Sequence, residues 1–366
     1  MSRELHVLMT ADTVGGVWTY ACELIRALRP QGVTVTLATM GAPLSKTQQR
    51  EIAALPDVEV FESSFALEWM ADPWRDVDAA GDWLIALAQL VRPDLVHVNG
   101  YAHASLPFGV PVATVAHSCA CSWYRAVRGA EAGPEWTEYR ERARRGLVAS
   151  DAVVAPTRAI LRAILDALRA EVAGRVIANG RACEPPQHAK EPFVLSAGRL
   201  WDEAKGLADL DACARSVSWP IRVAGAMTSP DGTKVTPRGV ELLGELPAPE
   251  LHAWMARAAV YALPARYEPF GLSVVEAALA GCALVLGDID TLREIWGDAA
   301  LYVRPGDTDA LAFALRSLAR DPLRRGVLAA NARTRARALT PTRMAVAYRA
   351  LYDELVARGH REARAS

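Results

Sequence analysis

Short apolar runs alternate with amphipathic stretches along nearly the whole chain, and this alternation restricts the fold more than any other feature. In the first half, runs at 5–11, 33–40, 58–62, 95–98, 112–117, 152–155 and 175–178 read as strands. Helical patterns lie between several of them, notably at 77–91, 135–149 and 158–170. The first helix follows Gly15-Gly16 and carries Tyr20, Leu24, Ile25 and Leu28 at helical spacing, until Pro30 and Gly32 stop it. Strands this apolar have no wet face. The pattern therefore predicts an α/β fold with an open, mostly parallel sheet covered by helices on both sides.

The pattern breaks at 181–192, where RACEPPQHAKEP holds three prolines and no periodicity, and then starts again. Strands are expected at 193–197, 221–224, 240–246, 260–263, 283–286 and 301–303. Helices are expected at 206–216, 249–258, 272–280, 308–320 and 323–338. This gives two doubly wound domains, 1–181 and 193–340, joined by a linker at 182–192. A last helix at 342–356, with Met344, Tyr348, Leu351, Tyr352 and Leu355 on one face, either caps its own domain or crosses back to the first; 359–366 reads as a frayed, charged tail. The 366 residues suffice for two domains, and 51% apolar content fills two cores.

Composition removes several classes of function. No apolar run is long enough to span a bilayer, and the start lacks a signal-peptide cleavage pattern, so the chain reads as cytoplasmic. Peripheral membrane contact stays open, as does oligomeric state. A net charge of −1 gives no support to nucleic acid as a partner. The six cysteines form no CxxC pair or Cys/His cluster, so neither a zinc site nor a disulfide framework is indicated.

The stretch RYEPFGLSVVEAALA at 266–280 places Glu268 in a loop, Gly271 at a turn and Glu276 one helical stretch later. Gly271 lets backbone approach a ligand, and the amides that open the following helix suit an anion. The plainer alternative is a strand–loop–helix junction whose glutamates suit the helix dipole. Upstream, AGRLWDEAKG at 197–206 puts Arg199 and Lys205 at the carboxyl end of a strand, where open α/β sheets bind ligands. Two cations there match a diphosphate. Lys205 is also one of only four lysines among 41 basic residues. The alternative is a solvated loop in which Asp202 and Glu203 neutralise both cations.

Other motifs are weaker. Gly15-Gly16 can present amides to an anion, although neither GxGxxG nor GxxxxGK[ST] is present. His117 stands at a strand end, where it could bond a ligand. Asp288-Ile289-Asp290 reads as a polar, helix-capping stretch rather than a metal motif. Trp69, Trp74, Trp83, Trp123, Tyr124, Trp136 and Tyr139 suit either a core or sugar-binding platforms.

Together these pieces resemble the retaining glycosyltransferases of family 4, with the GT-B architecture of two Rossmann-like domains facing a central cleft. The landmarks are GG at 15–16, PDLVHVNG at 93–100, His117, AGRLWDEAKG at 197–206, LLGELPAPEL at 242–251, YEPFGLSVVEAALAG at 267–281 and DTLREIWGDAALYVRPGD at 290–307. The E-x7-E pair is the most specific. Three positions depart from the family pattern: Arg181-Ala182 after Asn179-Gly180 where Val-Asp is common, Ala265 for serine, and Ala283 for proline.

The resemblance implies a role for each matching residue. Arg199 and Lys205 hold the donor's diphosphate and stabilise its departure, Glu268 binds the donor sugar's hydroxyls, and Glu276 binds the ribose. Phe270, Gly271, Leu272 and Ser273 belong to the donor site, the amides of the last three reaching sugar and phosphate. Gly15 and Gly16 face the phosphates, His117 lies near the sugar, and Leu243 and Gly244 flank the base. It implies a UDP- or GDP-sugar donor, a sugar, lipid or small-molecule acceptor, no cofactor and no metal. Alternatives are a nucleotide-sugar epimerase on the same fold and a non-catalytic nucleotide-sugar-binding protein.

Overall fold

The computed structural model describes residues 4–365 apart from 56, 184, 186, 187, 230 and 231. Three positions of the expected linker and the first three residues of the chain thus lie outside the described residues. The chain divides into two compact units. One comprises Met1–Arg125, Gly129–Gly180 and Pro341–Ser366, the other Ala126–Arg128 and Arg181–Thr340.

The first unit is built on β1 (Leu5–Asp12), β2 (Val33–Met40), β3 (Val58–Glu62), β4 (Leu95–Val98), β5 (Val112–Val115), β6 (Ala152–Ala155) and β7 (Gly174–Val176). Its helices are α1 (Gly16–Leu28), α2 (Lys46–Ala53), α3 (Trp74–Val91), α4 (Ala120–Arg128), α5 (Thr137–Ala149) and α6 (Arg158–Leu168). The seven strands are parallel, in the order β3-β2-β1-β4-β5-β6-β7. Alternation along β1 sorts its side chains. Val7, Met9 and Ala11 meet α1 on one face, while Leu8 meets Ala80, Leu84 and Leu87 of α3 on the other.

The C-terminal helix, Pro341–Ala365, belongs to this first unit, and Met344, Tyr348, Leu351, Tyr352 and Leu355 are buried in its core beside α1. It runs well past the expected end at 356. The stretch 357–365 is rich in alanine and arginine, both good helix formers, and the single Gly359 costs only about 1 kcal/mol. One strand and one helix also differ from expectation. β7 ends at Val176 rather than 178, and α2 was not expected because only Ile52 and Ala53 of its eight residues are apolar.

The second unit repeats the design with β8 (Glu191–Ala197), β9 (Ile221–Ala224), β10 (Glu241–Gly244), β11 (Ala258–Leu263), β12 (Ala283–Gly287) and β13 (Ala300–Val303). Its helices are α7 (Leu207–Cys213), α8 (Ala248–Arg257), α9 (Leu272–Leu279), α10 (Asp290–Trp296), α11 (Thr308–Arg320) and α12 (Pro322–Ala336). The order is β10-β9-β8-β11-β12-β13, again parallel. Tyr261 and Leu263 of β11 join Phe193, Val274 and Trp296 on one face, and Val260 and Ala262 join Leu210 and Leu315 on the other. β8 opens at Glu191, so the last two residues assigned to the linker are strand.

In each unit the chain winds outward one way and then restarts on the far side of the first strand. The strand order therefore reverses between β1 and β4, and between β8 and β11. Crevices at the carboxyl ends of such strand pairs are where doubly wound sheets bind ligands.

Candidate active site

In the second unit that crevice receives two loops. After β8, Gly198 and Arg199 lead into a 3₁₀ turn, Glu203–Lys205, whose start is capped by the Asp202 carboxylate accepting from the Ala204 N–H at 3.0 Å. After β11, Pro264 to Glu268 run toward α9. The Arg266 N–H donates to the Ala204 carbonyl at 2.8 Å, tying the loops together. Lys205 Nζ then lies 2.8 Å from Glu268 Oε2, both side chains only 13% exposed. The Glu268 backbone is fixed in turn by the Thr291 hydroxyl at 2.6 Å, from α10.

Arg199 is placed differently. Its guanidinium pairs with the buried Asp202 at 3.3 Å, sits over the Trp201 ring at 5.5 Å, and is well exposed. The loop in which acidic neighbours neutralise both cations is therefore half present. Asp202 takes Arg199, but Lys205 is held by Glu268, which is distant in sequence.

Gly271 caps α9 in the left-handed region, φ 85°. Its carbonyl accepts from the N–H groups of Val274 and Val275, and the amides of Leu272 and Ser273 fall outside the helix's own ladder. Tyr261 secures this end. Its hydroxyl lies 2.8 Å from Ser273 Oγ and 3.0 Å from the Ala197 carbonyl, joining β8, β11 and α9. Burial pushes that phenol far above its usual pKa, so it stays neutral. The Phe270 side chain is buried in the core and anchors the turn from below. Leu243 is half-buried in the same core, and the Gly244 carbonyl accepts from the Gly225 N–H at 2.8 Å.

Glu276, one turn further along α9, is buried, and its Oε1 accepts from Arg181 Nε at 2.5 Å. His252 Nε2, on α8, lies 3.7 Å from the same oxygen. Burial alone would raise the Glu276 pKa, but His252 and Arg181 outweigh it and hold the carboxyl below its usual range. His252 is raised to about 9, first by the adjoining Cys183 thiol and then by Glu276. The folded state thus takes up a proton that the unfolded chain holds only below about pH 6.5. This stabilisation is complete below that pH and fades as pH climbs toward about 9. Unfolding midpoints should accordingly drop between these values by more in the native protein than in His252→Gln.

The first unit holds the remaining candidates. Gly15, φ 92°, is the N-cap of α1, and a Cβ on Gly16 would meet open space. His117 follows β5, its Nε2 2.8 Å from Asn99 Oδ1 and its ring edge-on to Tyr20 at 4.5 Å. Because Asn99 Oδ1 can only accept, Nε2 carries the proton and Nδ1 is the acceptor nitrogen. Burial, assisted by His97, lowers the His117 pKa to about 3, so the ring is neutral and suited to accepting a hydroxyl bond. Trp123, Tyr124, Trp136 and Tyr139 form a ladder of ring contacts at 5.4–5.6 Å.

Asp288 pairs with Arg293, and the N-cap of α10 is Ile289, with no side-chain cap bond. The expected capping role fails because the Asp288 carboxylate is drawn to the guanidinium. Among the described residues no group of three or more His, Cys, Asp or Glu could hold a metal ion. Arg181, His252, Tyr261 and Asn99 were not among the expected site residues. Arg181 was visible only as a departure in the NGRA stretch, and His252 had no sequence signal.

Two family models match the chain: "Glycosyltransferase Family 4" over residues 14–184 and "Glycosyl transferases group 1" over 191–321. This chain belongs to the family 4 glycosyltransferases. The two matches divide where the structure divides, one to each sheet. Among curated relatives, glycogen synthase of Mycobacterium tuberculosis is 42% identical over 87 residues, 23% of this chain and 21% of that protein. The alignment to this relative thus spans about a fifth of its length. Alpha-maltose-1-phosphate synthase of Mycolicibacterium smegmatis is 26% identical over 85% of this chain and 88% of that one. Among solved structures, sucrose-phosphate synthase of Thermosynechococcus elongatus superposes with TM-score 0.80 at 20% identity, over 97% of this chain and all of that one. Anabaena HepE in complex with UDP-glucose does so with TM-score 0.71 at 18% identity, over 97% and 100%. These likenesses place this family 4 chain in the GT-B fold, with two Rossmann-like sheets. No helix among the described residues is long and apolar enough to cross a membrane.

Proposed function

We propose that the protein is a retaining, metal-independent glycosyltransferase that moves a sugar from a UDP- or GDP-sugar to an acceptor hydroxyl. The observation that carries this reading is the Lys205–Glu268 pair, set beside the N-terminus of α9 at the strand-order reversal. A nucleotide sugar needs positive charge at its diphosphate and acceptors at its hydroxyls, and this crevice supplies both within one unit.

In the proposed reaction the bond from the anomeric carbon to the diphosphate oxygen breaks while the acceptor oxygen bonds to the same face of the carbon. The acceptor's proton passes to the departing diphosphate. Charge builds on that leaving group, so preorganised cations and amides there lower the barrier more than any other group in the crevice can. Lys205, Arg199 and the Leu272 and Ser273 amides take that role, without a divalent ion. Glu268 orients the sugar and Glu276 the ribose; neither moves the proton. Within the first unit, neutral His117 is suited to accept from a hydroxyl, and Gly15 and Gly16 open α1 with amides suited to an anion. HepE's complex with UDP-glucose supports a uridine donor as the first to test.

The test is product stereochemistry by NMR with and without EDTA. An α-linked donor should give an α-linked product at an undiminished rate in EDTA. An inverted product, or loss of activity restored by a divalent ion, would overturn this mechanism.

A further inference from the structure

Glu276 is held in an unusual way for a group that must offer its oxygens to a ligand. Its carboxylate is buried on α9, where an ion without a partner would cost several kcal/mol. Two cationic side chains from separate elements converge on Oε1: Arg181 Nε at 2.5 Å and His252 Nε2 at 3.7 Å. His252 Nε2 is buried and meets no hydrogen-bond partner at bonding distance among the described residues, and the Cys183 thiol adjoins the same ring. The distance to Glu276 is that of an ion pair rather than a hydrogen bond.

Arg181 itself has little freedom. Its N–H donates to the Leu339 carbonyl at 3.0 Å, and its side chain is 13% exposed. It also opens the long segment of the second unit, Arg181–Thr340, at one of the positions where the sequence leaves its family's pattern.

We propose that Arg181 and His252 are positioning residues that clamp the Glu276 carboxylate and thereby set how strictly the site reads the ribose of the donor nucleotide. With Oε1 engaged from two sides, the carboxylate cannot rotate freely. Oε2 is then aimed in one direction, toward the vicinal hydroxyls. The His252 nitrogen is placed to bond either Oε1 or a ribose hydroxyl after a small shift. This inference rests on the assignment of Glu276 to the donor's ribose.

The experiment compares dissociation constants for UDP and 2′-deoxy-UDP, with GDP and 2′-deoxy-GDP in parallel, and the KM and kcat for the donor sugar. In the native protein the ribonucleotide should bind at least tenfold tighter than its deoxy analogue. Arg181→Ala and His252→Gln should each reduce that ratio at least threefold and raise KM while kcat changes little. Arg181→Lys should recover part of the ratio. A role confined to anchoring the chain would lower the unfolding midpoint and leave the ratio unchanged, which overturns the proposal. His252→Gln keeps the test usable if Arg181→Ala fails to fold, because His252 lies outside the connecting segment. If Glu276→Gln alone leaves the ratio intact, the ribose assignment of Glu276 fails and the clamp falls with it. If Glu276→Gln abolishes the ratio but neither clamp variant moves it, only the clamp is wrong.

Discussion

Lys205→Ala is expected to reduce sugar transfer by about a hundredfold or more, the usual loss when one preorganised charge is removed from a developing oxyanion. The variant should still fold. Lys205 sits at the end of a surface loop, and what it leaves behind is one carboxylate, Glu268, without its cation. That costs about 1–3 kcal/mol, seen as a fall of a few degrees in the unfolding midpoint. The double variant Lys205→Ala/Glu268→Gln should regain the stability but not the transfer. This separates the charge needed by the reaction from the pairing needed by the fold. Near-normal turnover in Lys205→Ala would remove the diphosphate role.

Gly225→Ala should be the most damaging single methyl group in the second unit. Gly225 has φ 137°, and a Cβ there would lie 1.8 Å from the Gly198 carbonyl oxygen. The loop after β8 must move to make room, and Arg199 and Lys205 move with it. Strain and overlap together cost about 2–5 kcal/mol. Displacing charged groups by 1 Å costs roughly a hundredfold in rate. Calorimetry and donor binding should both register the change. Gly326→Ala is the control: the site is in α12 with nothing within 4 Å, and the change should stabilise by about 0.5–1 kcal/mol. A Gly225→Ala protein with native stability and activity would show that the loop has slack the geometry denies.

Much of the fold was legible because parallel strands buried on both faces leave unbroken apolar runs. β8, β9, β11 and β12 were placed to within two residues from this signal. Ends were less legible where one side chain decides them. The C-terminal helix continues through Gly359 because no proline stops it, and β7 is short because its residues sit at a sheet edge.

The site divides the same way. Glu268, Gly271 and Glu276 share one stretch, so their nearness along the chain could be read from spacing, whereas Ser273 came only with the family resemblance. Pairings across the fold could not. Glu268 finds Lys205 and Glu276 finds Arg181 only because the sheet brings the ends of β8 and β11 together and the chain enters the second unit beside α9. His252 was invisible for that reason, being an ordinary histidine in an ordinary helix until α8 packs on α9.

The most direct test of the central claim is the unfolding midpoint measured against a panel of UDP- and GDP-sugars, without added metal. A ligand present at a hundred times its dissociation constant stabilises by about 2.7 kcal/mol, a shift of several degrees that calorimetry resolves easily. At least one nucleotide sugar should raise the midpoint in the native protein, and Glu276→Ala and Lys205→Ala should each diminish the shift. A panel in which no nucleotide sugar moves the midpoint would contradict the account.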